Sequence, residues 1–137
     1  MKNQLYTGTP TSRRQVALPA VAALESPNGG VAILVGSMPA VTLDSYQTNV
    51  DGATCLFNGS FDLTVVGSSS HSPYTPQALN PGDPVYASGT KDATTNVTYG
   101  LLLSGDSSDT LFGHIDPTGP GVGAGNTAIV GVVINAI

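Results

Sequence analysis

The sequence predicts an all-β protein, a small barrel or sandwich of about seven to eight short strands. Its 137 residues are enough for one domain with a real core. The strong helix formers Glu, Lys, Arg and Gln are scarce, whereas Gly, Pro, Ser, Thr, Asn and Val abound. Such a composition favours short strands joined by tight turns over helices.

The N-terminal segment, residues 1–27, differs in composition from the remainder of the chain. It holds three of the four basic residues and a single acid. Its threonine-rich piece 7–11 can run extended, because Pro10 disfavours helix in the residue before it. We therefore expect an extended N-terminal arm over residues 1–27, with one short helical turn near 19–24, and a β domain over residues 28–137. No residue before position 15 is expected to belong to a strand of the β core.

The β domain contains eight segments in which apolar residues alternate with polar ones or run together between turn signals. They are 31–35, 40–43, 53–57, 60–66, 84–87, 97–103, 111–114 and 129–134. The segment 60–66 alternates most clearly, since Phe61, Leu63 and Val65 are separated by polar residues. One face of this strand should therefore point inward and the other toward water. The proline-rich stretch 67–81 is expected to be a polar loop.

The pair Asn58-Gly59 carries the clearest local turn signal. It separates the strand candidates 53–57 and 60–66. Asn-Gly is the pair that a type I′ hairpin turn favours, because both central positions of that turn need a positive φ. We therefore predict a β-hairpin with Asn58 and Gly59 as its structural turn.

The charge balance disfavours some classes of partner. Nine carboxylates oppose four basic residues, Lys2, Arg13, Arg14 and Lys91, which gives a net charge of −5. Nucleic-acid binding depends on neutralising phosphates with Lys and Arg, so no nucleic-acid partner is expected. No apolar run approaches the roughly 20 residues that a membrane helix needs, so no membrane partner is expected either.

No motif for catalysis emerges from the sequence. The chain has no P-loop and no G-x-S-x-G motif. We interpret His71 as an exposed loop residue and His114 as a strand residue whose ring meets solvent or a neighbouring chain. A Ser/His/Asp constellation stays open as an alternative, because its members need not be neighbours in sequence. We expect no catalytic residue and no cofactor.

Metal and nucleotide motifs are equally absent from the sequence. Asp106 and Asp109 lack the register of a calcium loop and are interpreted as solvated turn residues. The glycine-rich stretch 119–125 does not match G-x-G-x-x-G and is interpreted as a flexible hairpin loop. Cys55 is the only cysteine, so it cannot form an intrachain disulfide and is expected in the core. We expect no metal site.

Five stretches, taken in order, resemble a family of tailed-phage capsid cement, or head decoration, proteins. They are an opening hairpin at 33–43, a Gly-x-Phe-x-Leu strand within 58–63, the strand entry Gly82-Asp83-Pro84-Val85-Tyr86 within 80–86, a returning strand at 112–115, and a closing strand rich in Val and Ile at 129–134. The resemblance covers roughly residues 31–137. The arm is longer than the family pattern, and the loops 71–77 and 118–126 look like insertions.

The resemblance implies a non-enzymatic structural virion protein that binds the outer surface of a phage capsid and stabilises it. The implied partners are the major capsid protein and further copies of the chain in a homotrimer. Such a protein is made in the host cytoplasm and is then located on the outer surface of the virion.

From its composition, the arm is expected to contact acidic capsid surface through Lys2, Arg13 and Arg14. The main alternative function is a β domain associated with a phage tail or fibre, or a carbohydrate-binding module. A further alternative is a small hydrolase that uses His71 or His114.

Overall fold

The structure, a computed structural model, describes residues 13–24, 29–43 and 52–137. Within these residues the regular elements are nine β-strands and one 3₁₀ turn, Ala22–Leu24. The strands are β1 (Arg13–Ala17), β2 (Ala32–Val35), β3 (Met38–Thr42), β4 (Gly52–Leu56), β5 (Asn58–Val66), β6 (Pro84–Asp92), β7 (Val97–Ser104), β8 (Thr110–Ile115) and β9 (Thr127–Asn135). The described residues include no helix with the length and apolar character that crossing a membrane requires.

The strands form one antiparallel sheet in the order β1-β4-β3-β2-β7-β6-β8-β9-β5. The prediction of an all-β fold is confirmed. The barrel alternative is wrong, because β1 and β5 end the strand order of the described residues and do not pair with each other. The ninth strand, which exceeds the predicted number, is β1, and it lies in the segment that was predicted to be an arm.

The chain divides into two compact units. Unit 1 comprises Met1–Gly59, Thr90–Gly100 and Asn135–Ile137, and unit 2 comprises Ser60–Gly89 and Leu101–Ile134. The strands β1 to β4 belong to unit 1 and β8 belongs to unit 2. The strands β5, β6, β7 and β9 contribute residues to both.

Unit 1 contains the hairpin of β2 and β3 and the pairing of β1 with β4. Gly36 closes the hairpin with a φ of 63°, a value that glycine adopts without steric cost. Ile33, Ala40 and Val97 are fully buried in the core of this unit. Cys55 is also fully buried, which confirms its predicted place in the core.

Part of the predicted arm lies in the sheet and the hydrophobic core of unit 1. The strand β1 pairs with β4 from Arg13↔Leu56 to Ala17↔Gly52, and the side chains of Val16, Leu18 and Leu24 lie in the hydrophobic core. The expectation that no residue before position 15 lies in a strand is therefore wrong. The expected helical turn is present as the 3₁₀ segment, while residues 1–12 and 25–27 lie outside the described residues.

The predicted hairpin at Asn58-Gly59 is wrong. The strand β4 pairs with β1 and β3, and β5 pairs with β9, so the two strands that flank this pair are not neighbours in the sheet. Of the two residues in this pair, Gly59 alone has a positive φ, 137°, whereas a type I′ turn requires positive values at both positions. The Asn58 side chain instead donates to the Ile137 C=O and accepts a hydrogen bond from the Ile137 N–H. Long-range strand pairing thus overrides the local turn signal.

Unit 2 has an apolar core of its own. The strand β5 alternates as predicted, since Leu63 and Val65 are buried while Asp62 and Thr64 are exposed. The strand β8 pairs with β6 on one side and with β9 on the other. The residues of this unit with no exposed surface include Val85, Ile115 and Val132.

Candidate functional site

Two loops of unit 2, residues 67–81 and 117–126, are joined by backbone hydrogen bonds. The Leu79 N–H donates to the Val122 C=O at 2.9 Å, and the Val122 N–H donates to the Leu79 C=O at 2.7 Å. The Gly125 N–H donates to the Gly67 C=O at 2.8 Å. These bonds hold the glycine-rich loop, which connects the antiparallel strands β8 and β9, against its neighbour.

Glycine is required where the two loops approach each other. A Cβ atom on Gly121 would lie 2.2 Å from the Leu79 carbonyl oxygen, and one on Gly67 would lie 2.3 Å from the Gly123 carbonyl oxygen. Both distances are far below van der Waals contact, so a side chain at either position would force the backbones apart. The glycines of this stretch therefore serve the packing of one loop on the other.

The first of these loops, residues 67–81, contains an exposed segment whose two ends are held together by hydrogen bonds. The Ser69 N–H donates to the Thr75 C=O, the Thr75 N–H donates to the Ser69 Oγ at 2.8 Å, and the Gln77 N–H donates to the Gly67 C=O. Every residue from 71 to 78 is exposed. Tyr74 stands out among them, with 66% of its surface accessible.

A cluster of Ser70, His71, Asp106 and Asp109 links this loop to the turn after β7. The His71 Nε2 lies 3.0 Å from the Asp109 Oδ1. The single proton of the Ser70 hydroxyl is shared between the Asp106 Oδ2, at 3.2 Å, and the Asp109 Oδ2. His71 is exposed as predicted, but the interpretation of Asp109 as a solvated residue is wrong, because its side chain is only 9% exposed beneath these contacts.

The cluster does not have the geometry of a catalytic triad. In a triad the serine hydroxyl bonds to the histidine base, and an acid orients the other side of the ring. Here the Ser70 hydroxyl donates to two carboxylates, and His71 contacts Asp109 through Nε2. His114, the other histidine, lies exposed in β8, as predicted.

His71, Asp106 and Asp109 each have one potential metal-ligand atom, and these three atoms lie within 4.8 Å of one another, a spacing that could suit a metal ion. The acceptor positions of Asp106 are already used, however. Its Oδ1 accepts from the N–H and Oγ of Ser108, and its Oδ2 accepts from the N–H and Oγ of Ser70. The arrangement therefore acts as a clamp that ties two loops together.

Hydrogen bonding also favours the ionised form of two carboxylates in unit 2, one of them in this clamp. The hydroxyl and backbone N–H of Ser108, followed by the N–H of Ser70, lower the pKa of Asp106 far below its usual value of 3.8. In the same unit, the N–H and hydroxyl of Thr118 and the hydroxyl of Ser60 lower the pKa of Asp116. Both carboxylates are therefore ionised at neutral pH.

A cleft of about 410 Å³ opens beside the clamp, entirely within unit 2. Its lining residues are Ser69, Gln77, Leu79, Asp83, Pro84, Tyr86, Gly105, Asp106 and Ser107. Leu79 is buried, whereas Asp83 and Tyr86 are half-buried. The cleft thus combines apolar surface with two carboxylates and one aromatic ring.

The two units differ sharply in charge. Unit 1 contains all four basic residues of the sequence and four acids, so its formal charge is zero. Unit 2 contains no Lys or Arg and five aspartates, Asp62, Asp83, Asp106, Asp109 and Asp116. The whole net charge of −5 therefore belongs to unit 2.

The residues predicted for capsid binding and for the turn lie in the N-terminal segment and at the start of β5. Lys2 lies outside the described residues. Arg13 and Arg14 are exposed on β1, at one end of the strand order. Asn58 and Gly59 begin β5.

The sequence analysis missed the clamp and the cleft because their members are distant in sequence. Ser70 is 36 residues from Asp106 and 39 from Asp109. Two features of the sequence are related to the clamp and the cleft, but neither was sufficient to predict them. Unit 2 is rich in serine and threonine and has no Lys or Arg, so hydroxyl groups are abundant side-chain donors for its carboxylates. Tyr86 is the aromatic residue of the Gly-Asp-x-Val-Tyr strand entry.

No protein-family model, curated protein or solved structure matches the chain.

Proposed function

We propose that the chain is a structural binding protein whose rigid β framework presents ordered loops to a partner. More specifically, we propose a capsid decoration protein, which attaches to the outer surface of a phage capsid and stabilises it. The partner is then the major capsid protein, and many copies bound at once make modest individual contacts collectively strong.

The observation that carries the proposal is the position of the five stretches that resemble decoration proteins. Residues 33–43 fall in the β2–β3 hairpin, and residues 58–63 begin β5. In the stretch 80–86 the Asn80 N–H donates to the Asp83 Oδ2 at 2.8 Å, which closes a turn directly before β6 begins at Pro84. The last two stretches, 112–115 and 129–134, lie in the paired strands β8 and β9. Each stretch therefore contains a strand or leads into one, which supports the proposal.

The predicted capsid-binding arm includes the strand β1, which is exposed and carries two basic residues. Arg13 and Arg14 project from a strand that pairs with β4 on one side and has no further strand neighbour among the described residues. An extended partner segment can add to such an edge through backbone hydrogen bonds. We propose that β1, together with the residues before it, contributes to capsid attachment.

The proposal is tested by mixing the protein with expanded, undecorated capsids built from the major capsid protein of the same phage. We expect saturable binding, measured as occupancy after sedimentation, and capsids that resist heat better once they are occupied. Removal of residues 2–12 leaves β1 intact, and we expect it to weaken binding about tenfold, or 1.4 kcal/mol.

A second variant separates charge from strand pairing. Arg13→Gln with Arg14→Gln keeps the length of β1 but removes its charge, so we expect weaker binding that depends less on salt than the wild type. Lys91→Gln removes one basic charge from unit 1 outside the arm and serves as the control. Absence of saturable binding by the intact protein would contradict the decoration role, whereas equal occupancy by all variants would contradict only the role of the arm.

A further inference from the structure

The cleft of unit 2 has a strongly negative character that no residue of its own unit neutralises. Asp83 and Asp106 both line it. The residues of unit 2 are all described, and none of them is Lys or Arg. An anionic ligand would be repelled from this cleft, and a cationic one would be attracted.

The two carboxylates differ in how much of their bonding capacity is already used. Asp106 accepts four hydrogen bonds from Ser70 and Ser108. Asp83 accepts one, from the Asn80 N–H to its Oδ2. Its Oδ1 accepts none from the described residues, so Asp83 retains an oxygen for a ligand while Asp106 adds fixed negative charge.

The remaining lining favours a flat cation over a compact one. Leu79 and Pro84 supply apolar surface, and Tyr86 borders the same space. A guanidinium group is planar and weakly hydrated, stacks on aromatic rings and donates to carboxylates in a fork, whereas an ammonium is a compact and strongly hydrated charge. The volume of about 410 Å³ lies within the range for ligand pockets and leaves room for an arginine side chain.

We propose that this cleft binds the guanidinium group of an arginine side chain presented by a partner protein. Asp83 accepts hydrogen bonds from the guanidinium, Tyr86 contacts its face, and Asp106 contributes electrostatic attraction from its place in the clamp. The proposal concerns the isolated protein and does not rest on the decoration role, although a capsid subunit could provide such an arginine.

The test uses N-acetyl-arginine N-methylamide as the probe and its citrulline analogue as the matched neutral control. Backbone amide signals of Gly105 and Ser107 are followed by NMR during titration, with Gly119 as a reference outside the cleft. We expect saturable shifts at the cleft with a dissociation constant of about 1 mM, and binding of the citrulline analogue weaker by roughly fivefold or more. Equal binding of both probes would overturn the proposal.

Two matched variants remove one negative charge each from unit 2. Asp83→Asn keeps an oxygen that can accept from the Asn80 N–H, so the turn is retained, and we expect it to weaken probe binding roughly fivefold. Asp62→Asn changes an exposed residue of β5 outside the cleft and should alter binding less than about twofold. Equal loss in both variants would show attraction by overall charge and would overturn the proposed site.

Tyr86→Leu provides a second, independent variant, because it removes the ring without changing the charge. We expect it to weaken binding of the arginine probe roughly twofold to fivefold, as loss of an exposed cation–π contact would. Calcium chloride is titrated separately at constant ionic strength. Saturation of the same signals by calcium, with a loss of the arginine response, would indicate a cation site of another kind and would also overturn the proposal.

Discussion

Units 1 and 2 both have buried apolar cores, but they differ in net charge. Each has a core of buried aliphatic side chains, but unit 1 balances its four Lys and Arg residues with four acids, and unit 2 has five aspartates and no Lys or Arg. In unit 2 the hydroxyl and N–H groups of serine and threonine bond to Asp106 and Asp116 in place of cations. The difference teaches that a low content of Lys and Arg need not leave carboxylates without partners.

The largest expected effect tests whether the two cores are equally well packed. Ile33 in unit 1 and Ile115 in unit 2 have no exposed surface, so replacement of either by alanine should lower the free energy of unfolding by about 2–5 kcal/mol. Urea denaturation followed by circular dichroism measures both. The corresponding valine variants, as controls, should cost about 0.5–1.5 kcal/mol each. A much smaller cost at one of the two positions would contradict equal packing.

A smaller effect is expected where the loops of unit 2 meet. Gly121→Ala places a Cβ against the Leu79 carbonyl oxygen, so the two loops must separate at a cost of about 1–3 kcal/mol. Thermal unfolding measures the loss. Gly119→Ala is the control in the same loop, since nothing lies closer than 4.0 Å to a Cβ there. Equal stability of the two variants would show that the loops are not held as described.

The smallest effect concerns acid stability. Asp106 in unit 2 and Asp92 in unit 1 both have a lowered pKa in the folded protein, Asp106 chiefly through Ser108 and Asp92 chiefly through the Thr95 hydroxyl. A lowered folded pKa stabilises the protein above the unfolded value of 3.8, and this contribution is lost as the pH falls below that value. The free energy of unfolding should therefore decrease from about pH 4 downward.

Variants separate the contributions of the two units. Asp106→Asn should flatten this pH dependence more than Asp92→Asn, because Asp106 accepts four hydrogen bonds and Asp92 accepts two. Urea denaturation between about pH 2.5 and about pH 7, a range that includes the carboxyl pKa, provides the measurement. An unchanged pH profile in Asp106→Asn would contradict the role of the clamp in acid stability.

The strands that the sequence predicts well are those with strong local patterns. The strands β2 to β5 and β7 to β9 begin and end close to the predicted segments, because alternation and flanking turns are encoded within a few neighbouring residues. The strand β6 begins where predicted, at Pro84, but continues to Asp92, well beyond the predicted end at residue 87. The strand β1 was missed, since its pattern is short and its partner, β4, is far along the chain. The Asn58-Gly59 signal was misleading for the related reason that strand order depends on long-range pairing.

The candidate site was less predictable than the fold. Sequence inspection placed His71, Asp106 and Asp109 correctly in loops and turns, but it could not show that the two loops meet. The cleft likewise depends on which strands are neighbours. Local patterns specify strands, whereas a site assembled from several loops requires the complete topology.

The exposed segment 71–78 has a practical consequence for protein engineering. Backbone hydrogen bonds between Ser69 and Thr75 and between Gly67 and Gln77 define its base, while the side chains beyond that base face solvent. A foreign peptide grafted at Tyr74 would therefore be constrained at both ends without replacing any residue of the core. Such a graft would make the chain a scaffold for peptide display, and an antibody against the inserted epitope would report directly on its presentation.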